Sequence, residues 1–274
     1  MTDKYAVIGN PIAHSQSPMI HAAFAKQTHQ AMCYEAILAP LDGFAETVNQ
    51  LVAQGYKGVN VTVPFKIAAF KLSTQHQPSA LPAEAANTLV FRGEQRIAEN
   101  TDGIGLVTDI QKNLAITLQN KRVLLIGAGG AAQGVALEIA SRMPALFVVT
   151  NRSMEKVSAM QHRLAAVTTH RLTPISLASF GQLDGQVFDV VINATSTGLS
   201  DSVLPIPDGI FTPSTLAYDM MYGRETPFMA QARLAGAKVA DGLGMLVEQA
   251  AAAFYLWRDV KPDTAPVIQQ MRGV

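Results

Sequence analysis

Val123-Leu124-Leu125-Ile126-Gly127-Ala128-Gly129-Gly130-Ala131-Ala132 is the stretch that decides the fold. Its branched apolar run reads as a strand buried on both faces, the kind a parallel sheet places at its centre. The glycines then turn the chain into a helix over 133–141. A glycine-rich turn between a hydrophobic strand and a helix lets backbone N–H groups approach a pyrophosphate, whose negative charge the helix dipole favours. Gly127, Gly129 and Gly130 stand where such a loop needs them. Ala132 replaces the last glycine of the usual fingerprint, at a position that chiefly governs helix-to-strand packing. A purely structural turn is the alternative, but the strand and helix flanks favour a dinucleotide.

The next strand, Leu146 to Thr150, ends in Asn151-Arg152, where an NAD site generally wants an acidic residue for the ribose hydroxyls. Arg152 offers paired hydrogen bonds to the 2′-phosphate of NADP and a flat face for the adenine, and Lys156 adds charge a turn later. NADP is therefore the expected cofactor, against the plainer view of Arg152 as a surface arginine at a helix start. Further strands are expected at 188–193, 216–219 and 238–240. After Asp241-Gly242-Leu243-Gly244 a helix runs through Trp257, completing the pattern of a doubly wound sheet.

Upstream, strand-like runs at 5–9, 33–38, 58–63 and 88–92 alternate with helix-like ones starting at Pro18, Leu41 and Phe65, which indicates a second α/β layer. The expected fold is α/β with two domains. Residues 1–103 form an N-terminal α/β substrate domain with a mainly parallel sheet, completed by C-terminal helices over 242–274. Residues 104–241 form a Rossmann-like, doubly wound NADP domain.

With 274 residues, 49% hydrophobic and 15% charged, the chain can bury a core of this size. Lysines plus arginines equal aspartates plus glutamates at 21 each, so no global field draws the molecule to nucleic acid or an anionic membrane. The single cysteine, Cys33, excludes intramolecular disulfides and Cys-rich metal sites, and is expected in the core. His14 and His21 lack the spacing of helical metal ligands, and no metal is expected. Neither a Gly-x-Ser-x-Gly elbow nor a Gly-x-x-x-x-Gly-Lys loop is present, which removes common hydrolase and nucleotidase readings. The N-terminal run breaks at Gly9-Asn10-Pro11, and the apolar region from Leu243 to Trp257 carries Glu248 and Gln249 and is too short to span a bilayer. The cytoplasm is the expected location.

Two segments place ionisable groups at probable strand ends: Asn60-Val61-Thr62-Val63-Pro64-Phe65-Lys66 and Asn100-Thr101-Asp102-Gly103. The valines alternate with Asn60 and Thr62, so a period-two strand is expected to bury one face and present polar groups on the other. Lys66 falls in the first turn of the following helix. The helix dipole disfavours a cation there while a nearby carboxylate favours it, and the sequence leaves the balance open. A solvated lysine and an ordinary turn aspartate are the bland alternative. Near the N-terminus, Ser15 and Ser17-Pro18 stand ahead of a helix whose expected apolar stripe is Met19, Ala23 and Phe24. Such a start either caps itself or binds a carboxylate through its hydroxyls and free N–H groups. Gln249 interrupts a mainly apolar helix face with Met245, Ala253 and Leu256; its amide either binds a substrate hydroxyl or is satisfied in the core.

Taken with Gly9 to Ile12, Asn87-Thr88-Leu89, Asn193-Ala194-Thr195-Ser196, Tyr218-Asp219-Met220 with Tyr222, and Asp241 to Met245, these segments resemble the shikimate dehydrogenases over nearly the whole chain. Membership implies NADP-dependent reduction of 3-dehydroshikimate to shikimate, on the way to aromatic amino acids, with the active site in a cleft between two α/β domains. By the family pattern, Ser15 and Ser17 hold the substrate carboxylate. Thr62, Lys66, Asn87 and Asp102 contact the ring hydroxyls, and Tyr222 and Gln249 close the pocket. The same pattern assigns the cofactor to Gly127, Ala128, Gly129, Gly130, Ala131, Asn151, Arg152, Ser153, Lys156, Thr195, Met220 and Gly242. Lys66 and Asp102 are the expected acid-base pair, coupled so that neither alone is assigned the proton. Lys71 to Pro78 departs from the acidic, helix-friendly segment common in that family. The expected partners are a small-molecule substrate and NADP, with neither nucleic acid nor membrane, in a monomer or homodimer. Two rival functions stay open: a quinate/shikimate dehydrogenase with relaxed cofactor use, and a non-catalytic ligand sensor.

Overall fold

A computed structural model describes residues 2–167, 172–195 and 202–273. Ser196, quoted above with Asn193 to Thr195, lies outside the described residues. The chain divides into two compact units, one of Met1–Gly105 with Leu246–Val274, the other of Leu106–Met245.

The first unit is built on the strands β1 (Asp3–Gly9), β2 (Met32–Leu38), β3 (Tyr56–Val61), β4 (Gln75–His76), β5 (Thr88–Arg92) and β6 (Gln95–Glu99), in the order β2-β1-β3-β5-β6-β4. β1 runs parallel to β2 and β3, and β6 to β4; β5 is antiparallel to both β3 and β6. Among the helices α1 (Ser17–Gln27), α2 (Phe44–Ala53) and α3 (Lys66–Leu72), the last two cover one face, where Phe44, Val48, Phe65 and Ala69 pack with Val59 and Val61. The helix expected from Leu41 begins at Phe44, because Pro40 to Gly43 form a turn closed by the Gly43 N–H on the Pro40 carbonyl. β6 carries no strong strand pattern. It exists because Gly93, at φ +60°, starts a two-residue hairpin loop that sets Arg92 opposite Gln95.

The second unit begins within α4 (Asp102–Thr108), which widens into a π-helical turn over Asp109–Asn113. Its strands β7 (Arg122–Ile126), β8 (Leu146–Thr150), β9 (Ile175–Leu177), β10 (Val190–Asn193), β11 (Leu216–Asp219) and β12 (Lys238–Ala240) are all parallel, in the order β12-β11-β10-β7-β8-β9. The chain winds outward from β7 to β9, then returns beside β7 and winds the other way, which is the Rossmann order. β7 feeds both layers, as its expected double burial requires. Val123 and Leu125 face α5 (Gly130–Ser141) and α6 (Met154–Val167), and Leu124 and Ile126 face the layer of α7 (Pro227–Leu234).

Two last helices, α8 (Leu243–Arg258) and α9 (Ala265–Arg272), return to the first unit and join α1 in a cluster of Ile20, Phe24, Val247, Phe254 and Val267. Trp257 lies over Gly58 and donates from its indole to the Leu89 carbonyl at 3.2 Å, so α8 sits on the sheet face opposite α2 and α3. Four expectations change. Asn60 is not on an open polar face but buried beneath the helices, and β3 ends before Val63, which is exposed. In α1 the buried positions are Ser17, Ile20, His21 and Phe24, while Met19 faces solvent. Cys33 is exposed, because β2 is an edge strand covered by little. Among the described residues no helix is long and apolar enough to cross a membrane.

Candidate active site

β3 and the Asn100 to Gly103 segment bring the two strand-end charges together. Lys66, the first residue of α3, donates from Nζ to Asp102 Oδ2 at 2.6 Å, with side chains 28% and 11% exposed. Asp102 opens α4, and its backbone N–H is met by the Asn100 side-chain oxygen at 3.1 Å. Its other carboxylate oxygen accepts from Asn87 Nδ2 at 2.8 Å. A carboxylate held from two sides leaves the ammonium one fixed partner and two donors to spare. Asn87 stands just before β5, where its carboxamide oxygen accepts from the Thr101 backbone at 2.8 Å. Gln249 of α8 accepts from Asn87 at 3.4 Å. It reaches that far because Gly105 lets α4 approach the α8 backbone closely; a Cβ there would lie 2.7 Å from Gln249 Cβ. The Gln249 amide thus has protein partners, accepting from Asn87 and Thr101 and donating to the Leu246 carbonyl, and it borders the pair.

Ser15 and Ser17 stand at the start of α1. Ser17 is the first helical residue and not its cap; Gln16 caps, without a side-chain bond, and Pro18 comes second. Ser15 Oγ accepts from the Ser17 N–H at 3.3 Å, so the hydroxyls share one corner. Thr62, half-buried, packs its methyl on Gly9 and has no bond to the Lys66–Asp102 pair. Tyr222 belongs to the second unit, is exposed, and has its phenol raised by partial burial. The divergent segment from Lys71 to Pro78 contributes β4, and His76 stacks on Phe70 at 4.0 Å.

In the second unit the expected cofactor residues gather at the carboxyl ends of β7, β8, β10, β11 and β12, at the switch in strand order where such sheets bind ligands. Gly127 has φ +119°, and a Cβ on it would press on the Ala194 carbonyl and on Thr195. Gly129 and Gly130 have open space where a Cβ would stand, and α5 begins at Gly130 without a side-chain cap. Those free N–H groups and that open space suit a pyrophosphate. Asn151 turns back to the Ser153 carbonyl at 3.1 Å, leaving Arg152 and Lys156 exposed. Thr195 is held by Asn193, whose amide donates to the fully buried Asp219 at 3.0 Å. Asp219 also accepts from the Met221 N–H and the Thr226 hydroxyl, which fixes the loop carrying Met220. Gly242 approaches the Met220 carbonyl so closely that a Cβ would overlap it. The donor set therefore fits NADP.

Sequence reasoning gave no role to Thr101, Thr88 or Tyr34, all of which bond into the network behind Asp102. Thr88 and Thr101 lie within the quoted segments, but only strand register shows them facing one another. Nothing local distinguishes Tyr34.

Three family models match: a shikimate dehydrogenase substrate binding domain over residues 7–89, shikimate / quinate 5-dehydrogenase over 109–200, and a shikimate 5'-dehydrogenase C-terminal domain over 242–272. A shikimate dehydrogenase (NADP(+)) of Methylobacillus flagellatus is 55% identical over 99% of both chains. Among solved structures, an Ael1 enzyme from Pseudomonas putida superposes with a TM-score of 0.93 at 45% identity, over 98% of both chains. Shikimate 5-dehydrogenase from Thermus thermophilus, in complex with NADP(H) and shikimate, does so with a TM-score of 0.86 at 29% identity, over 99% of both.

Proposed function

The chain belongs to the shikimate dehydrogenase family, and from that premise we propose that Lys66 and Asp102 carry the proton when 3-dehydroshikimate and shikimate are interconverted. It is an NADP-dependent oxidoreductase acting on a CH–OH group of the shikimate pathway. NADPH, when bound, supplies the hydride to the carbonyl carbon. The protein's own task is then at the oxygen, where negative charge develops and a proton must arrive. The observation that carries the assignment is the 2.6 Å Lys66–Asp102 contact with Asn87 on the second carboxylate oxygen. Lys66 donates to the reacting oxygen with one of its spare N–H groups, and Asp102 orients the ammonium and shares its proton. In the oxidative direction the same pair receives the proton from the hydroxyl.

Ser15 and Ser17 suit the substrate carboxylate through their hydroxyls at the start of α1. Thr62, Asn87 and Gln249 suit its ring hydroxyls. The first unit is thus the substrate domain and the second the NADP domain, with Gly127 to Ala131 on the pyrophosphate and Asn151 to Lys156 on the adenosine 2′-phosphate. A cytoplasmic monomer or homodimer suits this small-molecule task.

The decisive assay follows NADPH absorbance with 3-dehydroshikimate. Lys66→Ala should lower kcat by roughly 10²- to 10⁴-fold with a lesser effect on KM. A variant that keeps its turnover number and loses only substrate affinity would remove Lys66 from the chemistry.

A further inference from the structure

Behind the Lys66–Asp102 pair runs an unbroken row of side-chain hydrogen bonds, and it begins at a residue with no part in the site so far. The Tyr34 phenol donates to Asn60 Oδ1 at 2.6 Å. The Asn60 amide donates to Thr88 Oγ1 at 2.9 Å and to the Asn87 backbone carbonyl at 3.2 Å. Thr88 donates to Asn87 Oδ1 at 3.0 Å, and Asn87 donates to Asp102 Oδ1 at 2.8 Å. Every donor in this row points the same way, toward the carboxylate. Aligned hydrogen bonds polarise one another in a low-dielectric interior, so the row acts as a unit. It crosses β2, β3 and β5, and Asn60, Asn87, Thr88 and Asp102 are all buried.

We propose that Tyr34 is a positioning residue for the reaction: its phenol fixes the Asn60 amide and, through Thr88 and Asn87, sets the Asp102 carboxylate against Lys66. The phenol is itself immobilised. His21 stacks on its ring with centroids 4.1 Å apart, and Trp257 lies 6.2 Å away. Neither nitrogen of the fully buried His21 has a hydrogen-bond partner among the described residues, so His21 does not compete for the phenolic proton. Burial raises the phenol well above its ordinary value, against a smaller pull from Ser17, which keeps it a donor at working pH.

This inference rests on the proposed role of Lys66 and Asp102, and the test separates the two. Turnover of NADPH with 3-dehydroshikimate is measured for the unaltered protein, Lys66→Ala, Tyr34→Phe, Thr88→Val and the Tyr34→Phe/Thr88→Val double variant, each with its urea midpoint. Tyr34→Phe keeps the ring and its stacking and removes only the donor. The expected result is a roughly tenfold fall in kcat with substrate KM within about threefold, since small misplacements at the reacting centre cost at least that much. The double variant should lose no more than the worse single one, because the two changes interrupt the same row. A Tyr34→Phe protein with kcat within twofold of the parent and only a lowered urea midpoint would make Tyr34 a scaffold residue and overturn the inference. So would losses that multiply in the double variant or fall on KM alone. If Lys66→Ala retains its turnover number, or the unaltered protein shows no turnover, the proton-transfer assignment fails and the positioning role falls with it.

Discussion

His21 is the residue at which burial makes its most measurable demand. Its imidazole is fully enclosed by Tyr34, Phe24, Phe254 and Trp257, with neither nitrogen bonded among the described residues. Burial pushes it down to about 3 from an ordinary 6.5; the Asn60 amide is near enough to pull the value back slightly without completing a hydrogen bond. Between those two values the unfolded chain binds a proton that the folded one refuses. The stability from keeping His21 neutral is thus complete above about pH 6.5 and lost as pH falls toward 3, by about 2 kcal/mol at pH 5 and on the order of 5 kcal/mol at the low end. His21→Phe retains a ring for Tyr34 and cannot titrate. Urea midpoints from pH 7.5 to 5 should fall less steeply in that variant than in the parent, and parallel slopes would refute the account. Arg152 makes a different demand at the same scale. Exposed beside Lys156 at the end of β8, it is the proposed partner of a phosphate that NAD lacks. Arg152→Ala should weaken NADP about 10- to 100-fold by fluorescence titration and leave NAD nearly unchanged. Equal losses would leave cofactor choice to other groups, and repeating the titration with quinate and shikimate present would separate the sister activity.

Between elements, the closest approaches are made by glycine. A Cβ on Gly105 would stand 2.8 Å from the Gln249 backbone nitrogen, so alanine there forces α4 and α8 apart. Gly105→Ala should cost about 1–3 kcal/mol, the usual range for overpacking, whereas Gly181→Ala, which meets open space, should cost little. Urea denaturation of the pair decides, and equal midpoints would mean that the contact relaxes freely. The same distinction between local and distant causes explains what the sequence disclosed. β8, β11 and β12 were readable to the residue because each is an apolar run closed by polar residues. β4 and β9, of two and three residues, exist only through their partners β6 and β8. Asn60 looked like a polar surface position because period-two alternation says which face a residue takes, not what covers that face. Its cover comes from α8, almost two hundred residues later. Lys66 and Asp102 were legible as charges at strand ends, and their 2.6 Å contact needed β3, β5 and β6 in register. Tyr34 was not, since its role needs β2, β1, β3 and β5 to be ordered in one sheet, so that its ring reaches across β1 to Asn60.

At the scale of the whole molecule, one chain supplies two folding units with separate cores, and the proposed ligands divide between them. Each ligand should therefore leave its own footprint in hydrogen exchange. NADPH alone is expected to slow exchange at 127–133, at 151–156 and at the ends of β10 and β11. Shikimate alone should act at 15–17, 62–66, 87–89 and 100–103. Binding to the folded form lowers the population of open states by the ligand's own linkage, about 2.7 kcal/mol at a hundred times the dissociation constant, so protection of about 100-fold is within reach at accessible concentrations. Amides in the middle of β1 and β7 exchange through larger openings and should respond only where their own unit is liganded. NADPH that protects 15–17 and 100–103 while sparing 127–133 would reverse the assignment of the two units. If shikimate alone slows exchange at 100–103 in the parent and fails to do so in Asp102→Ala, the anchoring point of the substrate is the carboxylate to which Lys66 is bound.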